Sequence, residues 1–162
     1  MDSKQIQSIL VAAINHSEAD VVLCGKQAAD TNSGSTGPGI ASLMGAACVG
    51  MVSEVAVEGD GFSALRASSM GNERVSVSRP CLFAFDKAST ELRRPNVKGI
   101  MMAKRKVIET VSTDDLGIDL GESQVNIDSH DSPPEKPPGQ KFEGADSVQT
   151  VVLKLREEAN VI

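Results

Sequence analysis

The sequence predicts an α/β protein: a partial doubly wound parallel sheet with a β-hairpin region and an extended C-terminal arm ending in a helix. Three observations carry this. A helical apolar pattern leads into a short unbroken apolar run and then into a loop crowded with Gly, Ser and Thr. A stretch of alternating residues with two tight-turn signals follows. Beyond about residue 111 the chain becomes polar and proline-rich before one last amphipathic segment. These features divide it into 1–111 and an arm, 112–162.

In residues 3–17, Ile6, Ile9, Leu10, Ala13 and Ile14 recur at helical spacing. Val21, Val22, Leu23 and Cys24 then form an apolar run without alternation, which reads as a buried parallel strand. After the 25–39 loop, Ile40, Leu43 and Met44 mark a short helix opened near Pro38, where a missing N–H costs nothing. Val55 and Val57 alternate with polar positions, and Glu58-Gly59-Asp60-Gly61 signals a tight turn. A second turn falls at Met70-Gly71-Asn72, after which Val75 and Val77 alternate with Arg74 and Ser76. Arg79-Pro80 punctuates this region, and the run from Cys81 to Phe85 reads as another buried strand. Residues 86–106 read as a polar loop and a basic segment holding a short helical stretch, Ile100 to Ala103. Pro133, Pro134, Pro137 and Pro138 define an extended linker over 129–139. Residues 145–159 place Val148, Val151, Val152 and Leu155 on one helical face.

Composition removes several function classes. The chain has 162 residues and a formal net charge of −6, a poor match for nucleic-acid phosphates or anionic lipid. Aromatics are 2 % with no Trp or Tyr, so no stacking platform for single-stranded nucleic acid is expected. Cys24, Cys48 and Cys81 lie far apart without a CxxC pair, which points to reduced thiols. His16 and His130 lie far from all three in sequence, so no zinc site and no metal ligand set is expected. Neither histidine has a nucleophile in a recognisable pattern, and no catalytic residue is assigned. No segment has the length of a membrane-spanning helix or the apolar block of a signal peptide.

The loop over 25–39 follows a strand and precedes a helix, the edge at which open α/β sheets bind ligands. Glycines allow close backbone approach, Ser33, Ser35 and Thr36 offer hydroxyls, and a helix N-terminus favours an anion. Asp30 and Asn32 suit a sugar or the shaping of the turn. The loop is neither a Walker loop nor GxGxxG, so spacing alone leaves a nucleotide site and a structural turn both open.

Gly25-Lys26-Gln27-Ala28 followed by Asp30, then Thr36-Gly37, resembles the adenosine-phosphate loop of electron transfer flavoprotein beta subunits. Val55-Ala56-Val57-Glu58-Gly59 is similar to that family's hairpin. The run from Lys98 to Lys106 is similar to its signature segment, and Asp115-Leu116-Gly117-Ile118-Asp119 is familiar too. The resemblance covers essentially the whole chain. It implies an adenine nucleotide alpha hydrolase-like sheet and an electron carrier subunit rather than an enzyme. It also implies bound AMP, or in bifurcating relatives a second FAD, and FAD shared with an alpha subunit. Carried over, the nucleotide contacts fall on Gly25, Lys26, Gln27, Ala28, Asp30, Asn32, Ser33, Gly34, Ser35 and Thr36. Residues 93–98 match the family's partner-recognition loop, with Arg93 and with Val97 where leucine is usual. Ala67 stands after Arg66 where family members often place a carboxylate. Implied partners are the alpha subunit, acyl-CoA dehydrogenases and electron transfer flavoprotein-quinone oxidoreductase, without nucleic acid or membrane insertion. The implied compartment is the mitochondrial matrix in a eukaryote and the cytoplasm in a bacterium. Family members carry further strands ahead of the segment matched here, so the Val21–Cys24 strand is expected to lose neighbours and expose its edge, and the chain is expected to be a fragment, a split subunit or a truncated gene product. The alternatives are a non-redox adenine-nucleotide-binding regulatory domain and a truncated fragment without function.

Overall fold

The computed structural model describes residues 1–87, 90–136 and 138–162. Ala88 and Ser89 of the expected polar loop, and Pro137 of the expected linker, lie outside the described residues. Residues 1–126 form one compact unit and residues 127–162 a second.

The first unit opens with α1 (Ser3–His16). Asp2 caps it: the carboxylate accepts from the Gln5 amide, and the Gln5 side chain accepts from the Asp2 amide, a reciprocal capping box. β1 (Val21–Gly25) follows, then α2 (Thr36–Met44), which stops at Gly45 in the left-handed conformation (φ 64°). Next come β2 (Ala47–Glu58), β3 (Gly61–Ser68), β4 (Gly71–Val77) and β5 (Cys81–Phe85). The strands form one sheet in the order β1-β5-β2-β3-β4. β5 runs parallel to β1 and to β2, whereas β2, β3 and β4 form an antiparallel meander.

The sheet is therefore mixed, and the expected hairpin region continues it rather than standing beside it. β2 makes this possible because its twelve residues serve two neighbours. Its first half pairs with β5 and its second with β3, and the register shifts on both sides of the join. Met51 takes φ 59° there, and Val52, fully buried, pairs with Phe85 on one side and Arg66 on the other. A bulge of this kind bends a strand and raises its twist.

Each face of the sheet has its own core. Leu82 and Ala84 pack with Ile40 and Ala41 of α2, joined by Val11 and Ile14 of α1 and by Val22 and Cys24 of β1. On the opposite face Phe83, Cys81, Val49 and Val52 pack with Phe62, Ala64 and Val77 of the meander. Phe62 meets Phe83 edge-to-face at 5.7 Å between ring centroids, so the meander bends over that face. Among the described residues both α1 and α2 lie on the Leu82 side, so helices cover one face and not two. β1 pairs with β5 alone, stands at the sheet edge, and leaves Leu23 63 % exposed. This is the exposed edge that the family resemblance implies, although the unbroken apolar run alone reads as a buried strand.

Residues 119–125 strap onto the start of α1. Gln5 Nε2 donates to Gly121 O at 3.0 Å, and the Asp2 carboxylate accepts from the Gln124 amide at 2.7 Å and from Ser123 Oγ at 3.2 Å. The 112–126 segment, grouped with the arm on composition, thus belongs with the first compact unit. α3 (Val97–Ala103) begins earlier than the Ile100 expected from sequence, because Asn96 caps it by accepting from the Gly99 amide at 2.7 Å. In the second unit a 3-10 turn, Ala145–Ser147, leads into α4 (Val148–Glu157), none of whose residues is buried. Lys154 and Glu158 pair along it at 2.7 Å.

Candidate functional site

The loop between β1 and α2 leaves the C-terminal edge of the parallel strands, and a cavity of about 290 Å³ opens there. Its wall is Cys24, Gly25, Lys26, Gln27, Ala28, Thr31, Ser33, Gly34, Thr36 and Gly37. The loop starts where Lys26 donates its amide to Phe85 O at 2.8 Å, which ties it to the end of β5. Its bend is made by two residues in the left-handed region, Asn32 (φ 51°) and Gly34 (φ 61°). Asparagine tolerates that conformation and glycine adopts it freely.

The loop's polar side chains divide into two groups. Asp30 and Asn32 are engaged by the loop itself: Asp30 Oδ1 accepts from the Thr31 amide at 2.8 Å, and Asn32 Oδ1 accepts from Gln27 Nε2 at 2.9 Å. The Asn32 amide donates to Ala28 O, closing the turn. Ser33 and Thr36 face the cavity. Ser35 is the N-cap residue of α2 but makes no side-chain cap; its hydroxyl lies 3.3 Å from that of Ser33, and its carbonyl accepts from Gln7 Nε2 of α1. The first turn of α2 holds no acidic residue, so the partial positive charge of the helix start meets no internal anion.

The cavity depends on close packing beneath it. A Cβ placed on Gly37 would stand 2.9 Å from Cys24 Sγ and 3.4 Å from Leu82 Cδ2. Glycine there lets the start of α2 sit directly on β1 and β5. Lys26 Nζ reaches Asp86 Oδ1 at 2.6 Å, just beyond the end of β5. Burial pushes the Cys24 thiol up, with a smaller contribution from Cys48, so Cys24 behaves as an apolar wall group and not as a thiolate.

Of the ten loop residues carried over from the sequence, seven line the cavity. Asp30, Asn32 and Ser35 do not, and serve the loop's own shape. Three lining residues escaped the sequence reading: Cys24, Thr31 and Gly37. Cys24 and Gly37 were legible in principle, because the end of the strand and the second helical residue come close when a loop returns its helix onto the sheet. No such signal marks Thr31.

The other two candidates do not line this cavity. Arg93 is exposed. Val97 is the first residue of α3 and is 75 % exposed, beside Lys98, Met101, Met102 and Arg105, which line a shallow apolar depression. Arg66 pairs across the meander with Glu73, its Nε 3.9 Å from the Glu73 carboxylate. Among the described residues no cluster of His, Cys, Asp and Glu is placed to hold a metal ion, and no helix is long and apolar enough to cross a membrane.

A family model for the electron transfer flavoprotein domain matches residues 1–116. The chain belongs to the electron transfer flavoprotein family. It is beta-subunit-like: it is similar to "Electron transfer flavoprotein subunit beta" of Bacillus subtilis (strain 168), with 29 % identity over 165 residues, covering 99 % of this chain and 64 % of that protein. The subunits of the same name from Sus scrofa (32 % identity) and Homo sapiens (31 %) each cover 94 % of this chain and 58 % of their own length. The chain thus spans about three-fifths of the length of these flavoprotein relatives.

The lining is of a kind that suits a phosphate: three hydroxyl residues, Thr31, Ser33 and Thr36, with glycines and the Asp86-paired ammonium of Lys26. The volume sits at the lower end of the range for small-ligand pockets. Among the described residues no aromatic side chain lines the cavity, so the lining suits the phosphate end of a nucleotide and gives a flavin ring no stacking partner.

Proposed function

We propose that the chain serves as the beta-type component of an electron transfer flavoprotein, binding AMP in the β1–α2 cavity while supporting FAD carried mainly by an alpha subunit. The observation that carries this reading is the cavity itself, hydroxyl-lined and opening at the strand ends of a chain in this family. FAD, when bound, supplies the electron-carrying chemistry. This chain's residues hold and orient: Ser33, Gly34, Thr36 and the start of α2 would meet the AMP phosphate, with Gly25, Lys26, Gln27 and Ala28 along the wall. Asp30, Asn32 and Ser35 would keep the loop in shape.

On this reading the chain is a carrier subunit and not an enzyme. It would pass electrons from acyl-CoA and related dehydrogenases to electron transfer flavoprotein-quinone oxidoreductase and the respiratory chain. Val97, with Arg93 in the same segment, would anchor on a dehydrogenase, and an exposed apolar residue next to Lys98 and Arg105 suits a small hot spot. The reading carries with it an adenine nucleotide alpha hydrolase-like arrangement in residues 1–111, a C-terminal arm over 112–162 whose first part is strapped to α1 and whose remainder reaches toward the partner, and a matrix or bacterial cytoplasmic location.

The test is co-expression with an electron transfer flavoprotein alpha subunit. A yellow complex with flavin absorbance that releases AMP on denaturation is expected. A chain that stays alone and binds AMP but never flavin would instead be a regulatory nucleotide-binding domain, and the electron-carrier reading would fall.

A further inference from the structure

Lys26 is the sole cation among the described residues that line the β1–α2 cavity, and its charge is already committed. Its Nζ lies 2.6 Å from Asp86 Oδ1, with both side chains partly open to solvent. The pair is held at the sheet edge by backbone on both sides. The Lys26 amide donates to Phe85 O, and the Asp86 amide donates to Val52 O at 3.2 Å. Asp86 is not itself a lining residue, and Asp30 adds a second carboxylate on the exposed side of the same loop. The cavity therefore offers an anion neutral donors and a helix start, but no uncompensated positive side chain.

We propose that Asp86 is a specificity-determining positioning residue: by neutralising Lys26 it makes the cavity select a nucleoside monophosphate over di- and triphosphates. This rests on the proposed nucleotide site and adds a rule for ligand charge. Each further phosphate brings negative charge to a cavity whose one lining cation, among the described residues, is already paired. A monophosphate needs only the amides and hydroxyls of 33–37. Phosphate loops that take triphosphates keep a lysine free for the outer phosphates.

The experiment is equilibrium titration of the full chain with AMP and ATP, as wild type, Asp86→Asn and Asp86→Glu, each with a melting curve. At about 6 Å in a water-exposed site each extra unit charge changes affinity by at most about threefold, and salt reduces this. With Lys26 released, the ratio of ATP to AMP dissociation constants should fall about fivefold in Asp86→Asn at low salt, and less at high salt. Asp86→Glu should keep the wild-type ratio. Lys26→Met provides a second route: with Asp86 unpaired, the ratio should rise. If wild type binds AMP and neither Asp86→Asn nor Lys26→Met moves the ratio, Asp86 is only a loop brace and the proposal is wrong. If wild type binds neither nucleotide, the site reading itself fails and takes this proposal with it.

Discussion

Gly37→Ala is the sharpest test of how the cavity is built. The new Cβ would lie 2.9 Å from Cys24 Sγ, about 0.5 Å inside the 3.4 Å where ordinary contact begins, and 3.4 Å from Leu82 Cδ2. Neither neighbour yields easily, since Cys24 is short and sits on a strand and Leu82 is fully buried. Overpacking of this kind costs about 1–3 kcal/mol. Alanine returns up to about 1 kcal/mol of helix propensity. The net expectation is a loss of about 1–2 kcal/mol, which for a chain of this size lowers Tm by about 2–8 °C. Urea denaturation and a thermal melt followed by circular dichroism measure it. The companion is Cys24→Ala, which removes the obstructing sulfur. The double variant should recover part of the loss, with a coupling of about 0.5–3 kcal/mol. AMP affinity, which depends on where α2 starts, should fall in Gly37→Ala and recover with it. A Gly37→Ala chain as stable as wild type, or strictly additive losses in the double variant, would refute the close-packing argument.

Three further outcomes are expected. Asp2 is held below the usual carboxylate range by bonds from the Gln5 amide, then the Gln124 amide and the Ser123 hydroxyl. A lowered native pKa contributes stability that is present above the unfolded value, near 4, and is lost as pH falls through the native one. Exchange protection of the Gln124 amide and Tm should therefore drop below about pH 4, and Asp2→Asn should flatten part of that slope; Asp115, lowered by Ser112, supplies another part. Arg79 bonds Asp20 through Nη1 at 2.8 and 2.9 Å and also lies over the Phe62 ring at 5.1 Å. Arg79→Ala should cost about 1 kcal/mol by urea denaturation and Asp20→Asn only a few tenths, because the exposed bridge is worth little and the ring contact is lost only in the first. In Gly61→Ala the added Cβ would stand 2.6 Å from the Val77 carbonyl oxygen, a backbone atom that cannot step aside. A Tm loss larger than that of Gly37→Ala is expected from the same melts.

How far the sequence carries depends on whether the deciding contact is local. α1, α2 and the two turns were legible because helical spacing, a Pro and Gly-rich turn chemistry act within a few residues. The capping box Asp2-x-x-Gln5 is equally local and was overlooked. The run Val21-Val22-Leu23-Cys24 reads the same in an interior strand, so the exposed edge of β1 was legible only through the family resemblance and not from the run itself. The join in β2 was also hidden: Met51 is not a residue that advertises φ 59°, and only its two neighbouring strands impose it. At the site, the Gly and Ser content of the loop was plain. Which hydroxyls face the cavity, and which carboxylate meets Lys26, depended on β5, some sixty residues away along the chain.

The two-register strand has a consequence for how this chain tolerates length changes. Side chains on β2 alternate faces on both sides of Val52, and the unpaired step near Met51 sets the phase between the halves. Losing one residue there would turn Val49 outward or Val55 inward-to-outward, trading a core methyl set for water along half the strand. The loop tips at 59–60 and 69–70 carry no such phase and lie in exposed turns. Indels should therefore accumulate at the tips and be purged at the join, a pattern of gaps that a family alignment would display without any structure at all.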